Sequence, residues 1–351
     1  GGIDTSYVRS VARQIAQLHR RERQVLLVTS GAIGMGAGAL KLKGPITELP
    51  LRQACAAVGQ PLLMHEYHKA FQEEGLSVSQ VLLTAEVLSK RKSYLNLRNA
   101  IETLLNLGVV PILNENDSVS TDEIGTAFGD NDRLSALVAS KIDADLLILL
   151  TDIDALYDKN PREFPDAKPI RLVEEITEEI RRAAGKKGSA YSTGGMKTKI
   201  EAVRIAFTAG CRVILAHGRE KDILCRILEG EEIGTLFLPK SAKLPNRKRW
   251  ILHSRPEGTI YVDAGAMAAL RQNKSLLPKG ITGIEGTFSA GAVVMINQQA
   301  KAVTSLNSAE LRQVAGKHSS QIRQILGPNH RDVAVVPEDI VFLDEPNNPS
   351  A

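Results

Sequence analysis

Two clusters of carboxamides and carboxylates stand out in the chain: Asn114-Glu115-Asn116-Asp117 and, shortly after, Gly129-Asp130-Asn131-Asp132. Such groups together suit a ligand that carries both an ammonium group and carboxylates. Asp117 can accept from the ammonium, while Asn131 both donates and accepts. Two other readings compete. Aspartates also hold Mg²⁺, and Asn, Asp and Gly are ordinary residues of turns and helix caps. Capping accounts for one cluster easily and for several poorly.

Three further constellations add to these two. Thr29-Ser30-Gly31-Ala32-Ile33-Gly34-Met35-Gly36 is glycine-rich, so a ligand can come close to its backbone. Its spacing fits neither a dinucleotide fingerprint nor a P-loop, and close packing is the plain alternative. Thr151-Asp152 puts a hydroxyl beside a carboxylate at the end of an apolar run, where an Asx-type turn is equally expected. Ser192-Thr193-Gly194-Gly195-Met196-Lys197-Thr198-Lys199 opens a helix, with Thr193 as its expected cap. Lys197 and Lys199 there oppose the helix dipole, a conflict that a bound phosphate would resolve. No His-centred dyad or triad is apparent. His65 and His68 fall on a helix and are expected at the surface or in packing.

The elements that must position these groups alternate. Helices are expected over Ser6–Arg20, Leu51–Phe71, Arg91–Leu107, Arg133–Lys141 and Met196–Ala209. Between them lie strands at Gln24–Val28, Ser77–Leu83, Val109–Leu113, Leu146–Leu150 and Arg212–Ala216. Strands this apolar, taking turns with helices, predict a mostly parallel sheet covered on both faces, a three-layer αβα domain of the α/β class. Carboxyl ends of such strands and amino ends of such helices are where these sheets hold small ligands. The clusters fall at those ends, so an enzyme is expected.

Beyond a basic, proline-containing connector the pattern changes. Strands are expected at Gly258–Val262, Gly286–Phe288 and Ala292–Ile296, with one helix at Ala264–Arg271. The expected divisions are 1–240, a linker at 241–254, a small mainly-β domain at 255–345, and a tail at 346–351.

Composition narrows the class. The 351 residues are 43% hydrophobic and 24% charged, enough for a sizeable core and about two domains. A net charge of +4 does not announce a nucleic-acid partner. Three cysteines far apart suggest neither a disulfide framework nor a zinc site, which fits a reducing cytoplasm. No apolar run approaches the roughly 20 residues a membrane helix needs, so no membrane partner is expected.

Taken in order, Thr29-Ser30-Gly31-Ala32, Asn114-Glu115-Asn116-Asp117, Gly129-Asp130-Asn131-Asp132, Thr151-Asp152 and Thr193-Gly194-Gly195-Met196-x-Thr198-Lys199 resemble the glutamate 5-kinases of the amino-acid kinase family. Asn246-Arg247-Lys248-Arg249-Trp250 and Ser275-Leu276-Leu277-Pro278-Lys279-Gly280 resemble the PUA domain that closes such chains. The resemblance implies an ATP-dependent transfer of phosphate to the side-chain carboxylate of L-glutamate, with Mg²⁺ accompanying ATP. It implies that Ser30, Asp117 and Asn131 bind glutamate and that Asp132 and Lys199 are catalytic. ATP would meet Thr151, Asp152 and the run Thr193, Gly194, Gly195, Met196, Lys197, Thr198 and Lys199.

The same resemblance implies proline as a feedback inhibitor, a homo-oligomer, a cytoplasmic location and hand-over of the product to glutamyl-phosphate reductase. It also implies a strand bearing Lys-x-Gly-Ser/Thr ahead of Gly1, so the chain is expected to be part of a longer protein whose sheet has one strand more. Kinases of acetylglutamate, aspartate or carbamate are the alternatives within the family. RNA binding through the PUA-like segment is the alternative of another class, disfavoured because residues 251–351 hold nine basic and nine acidic residues.

Overall fold

The computed structural model describes residues 3–119, 131–159, 161, 163–184, 195–240, 243–327 and 332–344. They form two compact units, one of residues 1–88 and 92–240, the other of residues 89–91 and 241–351.

The first unit opens with α1 (Thr5–Arg20), β1 (Leu27–Val28), α2 (Ala32–Ala39), α3 (Leu49–Glu73) and β2 (Val78–Leu83). It continues through α4 (Ala85–Ser89), α5 (Arg91–Asn106), β3 (Val110–Glu115), α6 (Asn131–Ile142) and β4 (Leu146–Thr151). Short strands β5 (Leu156–Tyr157), β6 (Pro169–Ile170) and β7 (Leu172–Val173) follow, then α7 (Glu178–Ala184), α8 (Met196–Thr208), β8 (Arg212–His217), α9 (Ile223–Leu228) and β9 (Thr235–Phe237).

Strand residues divide by parity, as a pleat requires. Ile112, Ile148 and Ile214 face one core with Val8, Ile15, Leu63 and Phe71 of α1 and α3. Leu113, Leu149, Val213 and Leu215 face the other with Leu134 and Val138 of α6 and Val203 of α8. Helices therefore cover both faces, and the strands are mostly parallel, β8 and β9 being antiparallel.

The strands form two principal sheets, ordered β1-β3-β2 and β4-β8-β9-β7, with a small β5-β6 ladder beside them. Both sheets feed the same two cores, so they act as one layer of the sandwich. Between them runs a cavity of about 1820 Å³, lined by Leu26 and Val28 on one side and by Leu147 and Leu149 on the other.

Glycine sets the closest approach in the unit. A Cβ at Gly59 of α3 would overlap the Ala32 carbonyl and the Gly36 amide of α2, and one at Gly36 would overlap the Cys55 carbonyl. The packing reading of the glycine-rich run therefore holds at Gly36. Gly31 has a different role. It stands at φ +104° as the residue before α2, a conformation that favours glycine.

The second unit contains α10 (Asn246–His253), β10 (Gly258–Val262), α11 (Ala264–Arg271), β11 (Ile281–Gly286), β12 (Val293–Ile296), β13 (Ala300–Val303), α12 (Ser308–Val314), α13 (Ser319–Leu326) and β14 (Ile340–Phe342). Its five-stranded sheet has the order β11-β10-β12-β13-β14. The strand expected at Gly286–Phe288 is displaced to Ile281–Gly286. Gly286, at φ +87°, ends β11 opposite Gly258, and Phe288 turns inward to bury its ring.

Candidate active site

Site residues gather where β1, β3 and β4 end and where α6 begins. Thr29 continues β1, and its amide donates to the Leu113 carbonyl, so the glycine loop leaves the sheet beside β3. Asn114 ends the apolar part of β3 almost fully buried. Its side-chain oxygen accepts from the Glu115 amide at 2.9 Å and from Asn131 Nδ2 at 3.3 Å. Asn131 Nδ2 also donates to the Thr29 carbonyl. One carboxamide at the start of α6 thus ties the ends of two strands together.

The α3 helix supplies a layer of support that sequence reasoning missed. Gln60, 6% exposed, accepts from Asn114 Nδ2 at 2.9 Å. Tyr67 OH lies 2.9 Å from Thr29 Oγ1. Their separation of seven residues puts both on one helix face. The available signal was two polar residues at helical spacing among Ala56, Leu63 and Ala70, a pattern that reads as a mixed face until the crossing with β3 is known.

Asp117 lies three residues beyond Asn114 and is half-buried. Burial pushes its carboxyl above the usual aspartate range, while the charge of Arg52 on α3 pulls it down. Beside it, Ser118 Oγ donates to Asn116 Oδ1 at 3.1 Å. Gly129 and Asp130 lie outside the described residues.

Asp132, in the first turn of α6, meets two residues of α8. Lys199 Nζ donates to Asp132 Oδ2 at 2.9 Å, and Thr198 Oγ1 lies 3.4 Å from the same oxygen. Thr198 Oγ1 also donates to the Gly195 carbonyl at 2.8 Å, which folds the opening of α8 onto itself. The pair is well covered, with side-chain exposures of 11% for Lys199 and 15% for Asp132. Asp132 suits its own helix dipole and also supplies the anion that Lys199 needs near the start of α8. A side chain of the protein thus meets a need the sequence assigned to phosphate.

The remaining expected site residues divide. Ser30, Asn131, Asp132, Asp152 and Lys199 all line the one cavity. Thr151 Oγ1 donates to Asp152 Oδ1 at 3.1 Å, as a turn at the end of β4 would have it. Lys197 is exposed, two residues from buried Lys199. Met196 packs against the core shared by α6 and α8. Gly195 occupies the cap position of α8, correcting the expectation of Thr193; Thr193 itself, with Gly194, lies outside the described residues. His65 and His68 are exposed on α3, away from this network.

Among the described residues, no group of three His, Cys, Asp or Glu side chains could hold a metal ion, and no helix is long and apolar enough to cross a membrane. The donor set still fits Mg²⁺ carried by a nucleotide. That ion keeps several waters and needs only one or two carboxylates besides phosphate oxygens. Among the expected site residues, Asp132 and Asp152 are the carboxylates that line the cavity.

Comparison with known proteins gives the lineage. The amino acid kinase family model matches residues 2–217, and the PUA domain model matches residues 258–326. Glutamate 5-kinase of Methanosarcina acetivorans is 48% identical over 346 residues, covering 97% of this chain and 90% of that protein. Glutamate 5-kinase of Geobacter sulfurreducens is 44% identical over 349 residues, covering 97% and 93%. Among solved structures, carbamate kinase from Giardia lamblia bound to AMP-PNP aligns with a TM-score of 0.50 at 16% identity, over 68% of this chain and 93% of that one, a likeness of fold alone. On its sequence and its architecture, the chain belongs to the glutamate 5-kinase branch of the amino-acid kinase family.

Proposed function

We propose that the protein transfers the terminal phosphoryl group of ATP to the side-chain carboxylate of L-glutamate, forming ADP and L-glutamyl 5-phosphate, the first step toward proline. The observation that carries this reading is the adjacency of Asn131 and Asp132 on α6. One turns toward the strand ends at Thr29 and Asn114, the other toward Lys199 of α8, and all three of Asn131, Asp132 and Lys199 line one cavity.

Amino-acid recognition falls to Ser30, Asp117 and Asn131. Asp117 takes the ammonium group, and Asn131 with Ser30 fixes the chain so that its distal carboxylate points along the cavity. The nucleotide lies toward Thr151, Asp152 and residues 193–199. Lys199 neutralises charge on the phosphoryl group in transit, and Asp132 holds the ammonium of Lys199 in place until it does so. Gly31 and Gly195 leave backbone N–H groups open to anions.

The chemistry needs little else. A glutamate carboxylate, with a reference pKa of ~4.3, is already ionised near neutrality, so no general base is required. Catalysis then consists of aligning two anions and offsetting their charge. Mg²⁺ bound with ATP supplies part of that neutralisation, with Asp132 and Asp152 the residues that would hold it.

Proline shares an ammonium and an α-carboxylate with glutamate, which supports feedback inhibition at the same pocket. An acyl phosphate is readily hydrolysed, which supports direct hand-over to a reductase. A homo-oligomer in the cytoplasm completes the reading. Its test is ADP formation by the full-length protein with L-glutamate, with and without proline. Glutamate-dependent turnover that proline suppresses is expected, and turnover indifferent to glutamate would contradict the reading.

A further inference from the structure

One face of α3 carries the argument beyond these residues. It presents Tyr67 to Thr29 and Gln60 to Asn114, each at 2.9 Å. Two turns before Gln60 on the same side stands Arg52, half-buried, with Ala56 between them. The guanidinium of Arg52 acts electrostatically on Asp117, yet no direct ion pair joins the two, and among the described residues no hydrogen bond occupies that guanidinium. A cation and a carboxylate thus lie within electrostatic reach of each other with no ion pair between them.

A second, independent observation marks the same helix face. Gln60 spends its side-chain oxygen on Asn114, and its amide nitrogen is buried with no acceptor among the described residues. Buried donors are rarely left unpaired, so such an atom points to a partner that arrives with a ligand. Gln60 meets the end of β3 at Asn114, and Arg52 lies within electrostatic reach of Asp117, three residues further along the chain.

We propose that Arg52 anchors the α-carboxylate of the amino-acid substrate, opposite Asp117, which takes its ammonium. The inference rests on the proposed function and refines it. A glutamate has three charged groups, and the residues already assigned receive only the ammonium and the distal carboxylate by charge. The α-carboxylate needs a cation of its own, and Lys199 is committed to the phosphoryl end. A guanidinium can meet a carboxylate with two parallel N–H donors, which a lysine cannot reproduce fully.

The test is steady-state kinetics on Arg52→Gln and Arg52→Lys, each checked for an unchanged melting temperature. Losing a charge-assisted contact should raise the KM for L-glutamate about tenfold to a hundredfold. The kcat and the KM for ATP should stay within about twofold of the unaltered protein, and Arg52→Lys should recover part of the loss. An unchanged KM for glutamate, parallel rises in both KM values, or an Arg52→Lys variant no better than Arg52→Gln would overturn the assignment. If Arg52→Gln melts early, Arg52→Lys and Arg52→Met are compared in its place by the same criteria. Lack of glutamate turnover by the unaltered protein would instead overturn the proposed function, so the two failures are distinguishable.

Discussion

Lys199 Nζ and Asp132 Oδ2 lie 2.9 Å apart, joining the first turns of two helices separated by 67 positions in the chain. The pair is covered on most sides, so removing one partner takes the opposite charge away from a largely buried ion.

Lys199→Met should therefore destabilise the fold by about 3 to 5 kcal/mol, measured by denaturant unfolding. Adding Asp132→Asn should return most of that stability. Activity should not return with it. The kcat should stay about 10²- to 10³-fold below that of the unaltered protein, because a group that offsets charge in the transition state is still missing. A double variant that regained both would show the pair to be structural only.

Asp117 makes a prediction about pH. Burial raises its carboxyl, so the folded protein favours the neutral form. Stability from that preference is fully present below the unfolded pKa and is lost as pH rises through the folded one. Asp117→Asn should then melt at a higher temperature than the unaltered protein near pH 7. Binding runs the opposite way. The neutral acid cannot pair with an ammonium ion, so the KM for glutamate should rise as pH falls through a value above the usual aspartate range. In Asp117→Asn that acid limb should vanish, at the expense of a KM about tenfold to a hundredfold higher at pH 7. A pH profile of the KM with the same acid limb in both proteins would refute the role of Asp117.

Gln60 joins the hydrogen-bond network of the site through Asn114, which in turn accepts from Asn131. Gln60→Leu removes the acceptor and leaves the Asn114 amide buried and unpaired, at a cost of about 1 to 3 kcal/mol. Thermal unfolding should register that loss. Kinetics should show a raised KM for glutamate with the KM for ATP little changed, since the proposed nucleotide contacts are on α8 and at the end of β4.

Gly59→Ala tests the crossing of α2 and α3. Its methyl group would overlap backbone atoms of Ala32 and Gly36, which cannot swing aside as a side chain would. Overpacking of this kind costs about 1 to 3 kcal/mol or more. Because Ala32 follows Gly31 directly, the loop bearing Ser30 should shift as well. A melting temperature unchanged by Gly59→Ala would mean that the two helices are not so close.

The sequence made the local features of this fold legible. Leu113, Leu149 and Leu215 sit in short apolar runs whose length reads as buried strand, and Asn131 and Asp132 precede a clear helical period, so their place at a strand–helix junction followed. What the sequence could not show depends on contacts between distant positions. The partner of Lys199 was expected to be a phosphate, because nothing in the order of residues brings Asp132 beside it. Gln60, Tyr67 and Arg52 read as ordinary helix residues until the crossing of α3 over β1 and β3 gave them neighbours. Gly286 carried a turn signal, but only its pairing with Gly258 placed the strand before it and not after it.

The most direct test of the central claim is a coupled assay of ADP formation with L-glutamate, N-acetyl-L-glutamate, L-aspartate and carbamate, each at matched concentration with MgATP. The account predicts turnover that depends on L-glutamate, with kcat/KM well above that for the other three acids. Preferred turnover of any of those three, or ATP hydrolysis at one rate whether or not glutamate is present, would contradict it.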